Sequence, residues 1–425
     1  MKRLFVCVIA MLLLLPQGVT GRASAGDVDV NGYLALVRRS NEDIRASLRL
    51  GEAKFFSVRS ALATQRPAAG LKGNASRVTG DTGGDYTLSV AVTHRFDISG
   101  IYGAQERQLV LGYEIAASEH VATVNSLLAQ AEQTYWSAVL ARANVQLQKD
   151  TLAQRLEDLR VTEEKYANQL VPKLDVIRAS AKVEEIRSFL VEAEALYTDA
   201  LSRLAALAGG EEAVPVRTEL LVPDRTVSAD FEAAWTARPD VRAGTLSVER
   251  AKVLRSLAAK GMSPTLDGSV GYVFLTDSAK STPPEQEAIF SLTVGVPVSD
   301  GGATKANVRE KEKTLEAANA SLRSKRNEVT KELALAENEW KSAVAVELSK
   351  RQQVARSDEE LKITQLMYKE GMGAQIDLLN AQVENRKVRT EHLNAIKDMY
   401  FALVSLRKAI GQYVAGYSNT YAGGK

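Results

Sequence analysis

Hydrophobic positions recur along two stretches of the chain at helical spacing. Val308, Leu315, Leu322, Val329, Ala336 and Ala343 follow one another at steps of seven. Leu393, Ile396, Tyr400, Leu403 and Ile410 follow at steps of three and four, with Arg407 breaking the line. Both patterns are seams of supercoiled helices. Residues 104–166 contain no proline and only Gly112 as an interruption, and residues 303–368 contain neither proline nor glycine. About 60 residues at a rise of about 1.5 Å predict helices of roughly 90–100 Å. That length calls for a coiled coil or a helical array.

Each long helix runs into a short turn. Asn168-Gln169-Leu170-Val171-Pro172 ends the first, and Pro172 suits the first turn of a returning helix. Glu370-Gly371-Met372-Gly373 ends the second, where glycine permits positive φ. Two helical hairpins are predicted, with return helices over 173–208 and 374–410. A different period appears ahead of each long helix. Tyr86, Leu88, Val90, Val92 and Phe96 alternate with Thr87, Ser89, Ala91, Thr93 and Arg95. Leu266, Val270, Tyr272 and Phe274, and then Phe290, Leu292, Val294 and Val296, alternate with small or polar residues in the same way. Segments of about ten residues with one apolar and one polar face are the pattern of membrane barrel strands, and also of a half-buried soluble sheet. Residues 71–79 are expected to pair with the strand from Tyr86 through Asp81-Thr82-Gly83-Gly84-Asp85. Four strands are too few to close a barrel, which needs about eight. A membrane barrel would have to borrow strands from other copies, and three copies supply twelve.

The chain contains its own copy. Asn41-Glu42-Asp43-Ile44-Arg45-Ala46 returns as Arg238-Pro239-Asp240-Val241-Arg242-Ala243. Glu52 matches Glu249, Pro67 matches Pro264 and Gly100 matches Gly301, while Tyr166 matches Tyr368 and Asp175 matches Asp377. One slowly drifting offset of about 200 residues marks a duplicated unit. Each unit reads helix, strand pair, very long helix, tight turn, long helix.

Lys2 and Arg3 precede an apolar run from Leu4 to Leu15, and Ala23-Ser24-Ala25 offers a small-x-small site. Residues 1–25 are therefore expected to be a cleaved export signal, the run being too short to span a bilayer. Cys7, the single cysteine, lies inside it, and no small-residue lipobox precedes it. Loss of Lys2, Arg3 and Arg22 from 54 bases against 52 acids leaves a mature charge of −1, which suggests no nucleic-acid partner. His94, His120 and His392 fall at unrelated positions. The chain has no G-x-S-x-G, H-E-x-x-H or Walker loop. Gly371-Met372-Gly373 lacks the third glycine and the preceding strand of a nucleotide fingerprint. No enzymatic activity, cofactor or metal site is expected. The charges between Arg309 and Lys331 read as a solvated helical face.

Four motifs in order resemble the TolC-like outer membrane factors. They are Arg238-Pro239-Asp240-Val241, then Ser263-Pro264-Thr265-Leu266, then Leu292-Thr293-Val294-Gly295-Val296-Pro297-Val298-Ser299-Asp300-Gly301-Gly302, and last Tyr368-Lys369-Glu370-Gly371 before Ile376-Asp377-Leu378-Leu379. The resemblance covers residues 27–412. It implies a mainly α protein with a small β part, built as a homotrimer. Long hairpins, over 100–209 and 302–410, would form a periplasmic coiled-coil tunnel. Strand pairs over 68–98 and 264–299 would contribute to a trimeric twelve-stranded outer-membrane β-barrel. Residues 26–67, 210–262 and 411–425 would form a belt around the tunnel.

The resemblance also implies a function and its residues. The chain would be a passive exit duct in the outer membrane, serving a tripartite efflux or type I secretion system. Its partners would be a periplasmic adaptor protein, an inner-membrane transporter and outer-membrane lipid. Asp377 and Asn380 match the acidic positions at the tunnel constriction, so that one of two acidic rings is missing. Asp175 and Tyr368 match a latch between hairpins, although Gly373 stands where a second latch expects arginine. Gln169, Leu170, Val171, Gly371, Met372 and Gly373 occupy the tips where an adaptor would dock. Arg95-Phe96-Asp97-Ile98-Ser99 resembles members that export heavy-metal cations. The other reading is a periplasmic coiled-coil protein without a pore.

Overall fold

The computed structural model describes residues 28–76, 85–210, 222–223, 238–277 and 286–414. The expected leader, both strand-connecting loops and the residues after 414 lie outside them. The elements run α1 (Val30–Ser40), α2 (Glu42–Thr64), β1 (Ala68–Ser76), β2 (Asp85–Phe96), α3 (Ile101–Ala167) and α4 (Lys173–Leu207). They continue with α5 (Pro239–Ala259), β3 (Thr265–Asp277), β4 (Gln286–Gly295), α6 (Ala303–Lys369), α7 (Gln375–Ala409) and a 3-10 turn at Gln412–Val414. Mostly helix with four strands, this is the mainly α fold that the seams and alternations predict. Both outgoing helices have 67 residues and both return helices have 35.

The chain divides into two compact units. One holds residues 46–120 and 239–328. Its centre is an antiparallel sheet in the order β1-β2-β3-β4. β1 begins at Ala68, opposite Thr93, three residues before the expected start. The middle pairing, β2 with β3, joins the two copies of the repeat and sets Val90 opposite Tyr272 and Arg95 opposite Asp267. Alternation within one strand does not show which strands meet, so this pairing was not legible in the sequence.

Both strand-to-helix junctions use one device. Asp97 accepts from the amides of Ile101 and Tyr102 at the start of α3, at 2.7 and 3.1 Å. Asp300 accepts from those of Gly302 and Thr304 at the start of α6, at 2.9 and 2.6 Å. A carboxylate satisfies otherwise unpaired helix amides and suits the positive end of the helix dipole. The Thr304 hydroxyl first, and then these amide bonds, hold the Asp300 carboxyl below the usual range. Gly100 and Gly301 stand beside the two caps at φ 65° and 64°.

The other unit holds residues 1–45, 121–238 and 329–425. Its main core gathers Tyr33 and Val37 from α1, Val124, Leu128, Ala131 and Tyr135 from α3, and Leu204 from α4. The Tyr33 hydroxyl donates to the Leu204 carbonyl. In the first seam Val329 and Ala336 are buried, and Ala343 is half-buried. Arg407 interrupts the second seam for a local reason. Its guanidinium lies 2.7 Å from Glu132, a carboxylate only 2% exposed that also accepts from Tyr413 and Trp136. A buried carboxylate needs such partners. The repeat recurs here too. Asn41 donates to the carbonyl of Leu207, and its counterpart Arg238 donates to that of Ala409, each at the end of a return helix.

Candidate functional site

The hairpin turns α3–α4 and α6–α7 close in the same way. The amides of Gln169 and Leu170 donate to the carbonyls of Tyr166 and Lys165. Those of Gly371 and Met372 donate to Tyr368 and Met367. Both are nested pairs of hydrogen bonds that end a helix through one left-handed residue. Gly371 fills that place at φ 77° and Gln169 at φ 59°, the one non-glycine residue at positive φ among the described residues. A side chain there costs about 1–2 kcal/mol relative to glycine. Leu170 and Met372, 71% and 70% exposed, crown the two turns. Val171 is half-buried, as is Gly373.

Tyr368 and Asp175 do not meet within the chain. The Tyr368 ring is buried against α3, with its hydroxyl 3.4 Å from the Thr162 hydroxyl. The Lys165 ammonium lies 4.1 Å from the ring centre and donates at 2.6 Å to the Tyr368 carbonyl. The Asp175 carboxylate instead stands 3.8 Å from Arg178, and its backbone carbonyl accepts from Gln375. Lys165 and Gln375 thus tie the first hairpin to the second. Neither was singled out from the sequence, because nothing in the local pattern sets Lys165 apart from its charged neighbours.

Deeper in the same bundle lies a polar layer. Arg155 on α3 is 4% exposed, and its Nε and Nη1 find no acceptor among the described residues. Asp158 accepts from Gln382 of α7, and burial raises its pKa. Burial lowers that of Arg155, with Asp158 and Glu185 opposing the effect.

Asp377 and Asn380 are exposed on the first turns of α7. They line a groove of about 860 Å³ with Glu384 of α7, Glu360 and Thr364 of α6, and Arg178 and Lys182 of α4. The two basic residues were not expected there. The repeat offset that carries Asp175 onto Asp377 also carries Arg178 onto Asn380 and Lys182 onto Glu384, and that was the signal available.

The sheet supplies the second candidate surface. Leu71, Val90 and Tyr272 stand side by side across β1, β2 and β3, and Val92, Val270 and Phe290 across β2, β3 and β4. Most of this face is open, with Leu71, Phe290 and Leu292 each at least two-thirds exposed. The opposite face carries Lys72, Ser89, Ser291, Thr293 and the Arg95–Asp267 pair at 2.7 Å. Apart from that pair and the Asp97 cap, the 95–99 junction supplies the Ser99 hydroxyl to the Pro264 carbonyl, so its polar side chains are engaged in the fold. No helix among the described residues is long and apolar enough to cross a membrane.

The family model for outer membrane efflux proteins matches residues 34–210 and 232–412. The chain belongs to this family. Outer membrane protein TolC of Vibrio cholerae serotype O1 is 25% identical over 306 residues, 70% of each chain. Outer membrane protein OprJ of Pseudomonas aeruginosa is 24% identical over 405 residues, 90% of this chain and 82% of that protein. A solved membrane protein from Pseudomonas aeruginosa superposes with a TM-score of 0.79 at 21% identity, covering 90% of this chain and 92% of its own. At that identity the superposition speaks for the fold alone. Efflux family membership agrees with the TolC-like resemblance carried by the four motifs, and the family is one of channel proteins.

Proposed function

We propose that this efflux family member is the outer-membrane exit duct of a tripartite export system. It would work as a homotrimer beside a periplasmic adaptor and an inner-membrane transporter. The observation that carries the reading is the four-stranded sheet, with one exposed apolar face and two edges, β1 and β4, that pair with nothing among the described residues. An apolar face of this size is a liability in water and an asset in lipid. Open strand edges invite pairing with further strands, and three copies give a closed ring of twelve. In this reading the hairpins enclose a periplasmic tunnel, Asp377 and Asn380 line its narrow end, and the tips around Leu170 and Met372 meet the adaptor. Tyr368 acts through Lys165 and Thr162 of its own chain.

The test is fractionation followed by reconstitution. The protein is expected in outer-membrane fractions as a heat-modifiable trimer that conducts ions in planar bilayers. A soluble periplasmic pool without conductance would sink the proposal and favour a coiled-coil protein without a pore.

A further inference from the structure

We propose that Arg178 sets the charge selectivity of the passage, because the groove beside Asp377 is a dipolar slot with one basic and one acidic wall. The inference rests on the reading of Asp377 as a residue of the passage. Arg178 and Lys182 on α4 form one wall, and Asp377 and Glu384 on α7 form the other, joined by Glu360 of α6. The walls are the two copies of one repeat. Both keep the aspartate of the first turn, Asp175 and Asp377, and then diverge: Arg178 stands for Asn380, and Lys182 for Glu384.

Basic residues on an exposed helix ordinarily serve pairs along their own helix. Lys182 fits that role, since its ammonium lies 2.6 Å from Glu185. Arg178 does so only loosely. Its guanidinium makes an i,i+3 ion pair with the Asp175 carboxylate at 3.8 Å, beyond hydrogen-bond distance, and its side chain is 48% exposed. Asp175 compensates part of its charge, and the exposed guanidinium still faces the water of the groove. A groove of about 860 Å³ is on the order of one Debye length across, about 8–10 Å. An ion within it feels Arg178 and Asp377 together. The slot suits solutes that carry both signs, or neither, better than simple cations.

The test uses the full-length protein in planar bilayers, with reversal potentials read under a potassium chloride gradient. Arg178→Asn installs the side chain of the second copy. It is expected to raise the cation-over-anion permeability ratio roughly fourfold, because one elementary charge at about 10 Å in water changes the partition of each ion about twofold and in opposite directions. Arg178→Lys should leave the ratio unchanged. Asp377→Asn should shift it toward anions, because Arg178 and Lys182 remain. Arg178→Ala replaces the asparagine variant should that one fail to insert. If Asp377→Asn shifts the ratio and neither neutral Arg178 variant does, the dipolar slot is wrong while the place of Asp377 stands. If none of them shifts it, Asp377 is not in the passage and both readings fall.

Discussion

At the scale of single residues, His120 offers a pH test. It lies on α3, 6% exposed, with Nδ1 2.7 Å from the Ser47 hydroxyl. Burial lowers its pKa below the ordinary value. The unfolded chain, with an imidazole pKa of about 6.5, takes up the proton first as pH falls. The contribution of the neutral, buried ring is thus complete above about pH 6.5, and it is lost as pH drops toward the folded value. His120→Gln should flatten the fall of the thermal midpoint between pH 7 and pH 5. Equal slopes for the two proteins would show that His120 is not a source of acid sensitivity. The sequence shows three scattered histidines and no more. That this one is buried follows from α2 covering α3, a tertiary fact without a local signature.

At the scale of elements, the helices were legible and the contacts that fix their register were not. A seam such as Val329 to Ala343 announces itself by spacing alone. The glycine turn at Gly371 does the same by its chemistry, while Gln169 conceals the matching turn behind a residue that ordinarily avoids it. Arg407 looks like a flaw in its seam because its partner Glu132 is 275 positions earlier. Arg407→Leu should repair the pattern and weaken the protein. It strands a nearly buried carboxylate, and breaking a buried pair costs about 3–5 kcal/mol. Tyr413 and Trp136 still donate to Glu132, and the Arg407 side chain is 35% exposed, so the low end, about 3 kcal/mol, is expected. Denaturant midpoints measure it. Adding Glu132→Leu should recover most of the loss, and a single variant as stable as the parent would show that Glu132 does not depend on Arg407. The network has a second trace: burial pushes the Tyr400 hydroxyl up to about 12, with the Glu132 charge adding to the effect.

For the molecule as a whole, the decisive property is the difference between the two faces of the sheet. Val90 belongs to the apolar face, and its strand neighbour Ser89 to the polar one. In a barrel wall, arginine at a mid-membrane position of the lipid face costs about 2–4 kcal/mol, against little on the water side. Val90→Arg should therefore lower the thermal stability of the assembled protein well below that of Ser89→Arg. Equal losses would mean that the sheet is not a wall between lipid and water. The alternation that predicts this contrast was plain in the sequence, as was the duplication. The order of the strands was not, since β2 and β3 come from different copies some 170 residues apart.

The two strand edges, unpaired among the described residues, also bear on how the protein is made. If the protein is the outer-membrane duct proposed above, a newly exported chain carries both edges and the open apolar face through an aqueous compartment before its partner copies arrive. During that interval misassociation competes with correct assembly, and both speed up as chains accumulate. Yield then depends on a race between reactions more than on the depth of the final energy well, so slower synthesis should recover more functional protein than any mutation that merely stabilises the finished form.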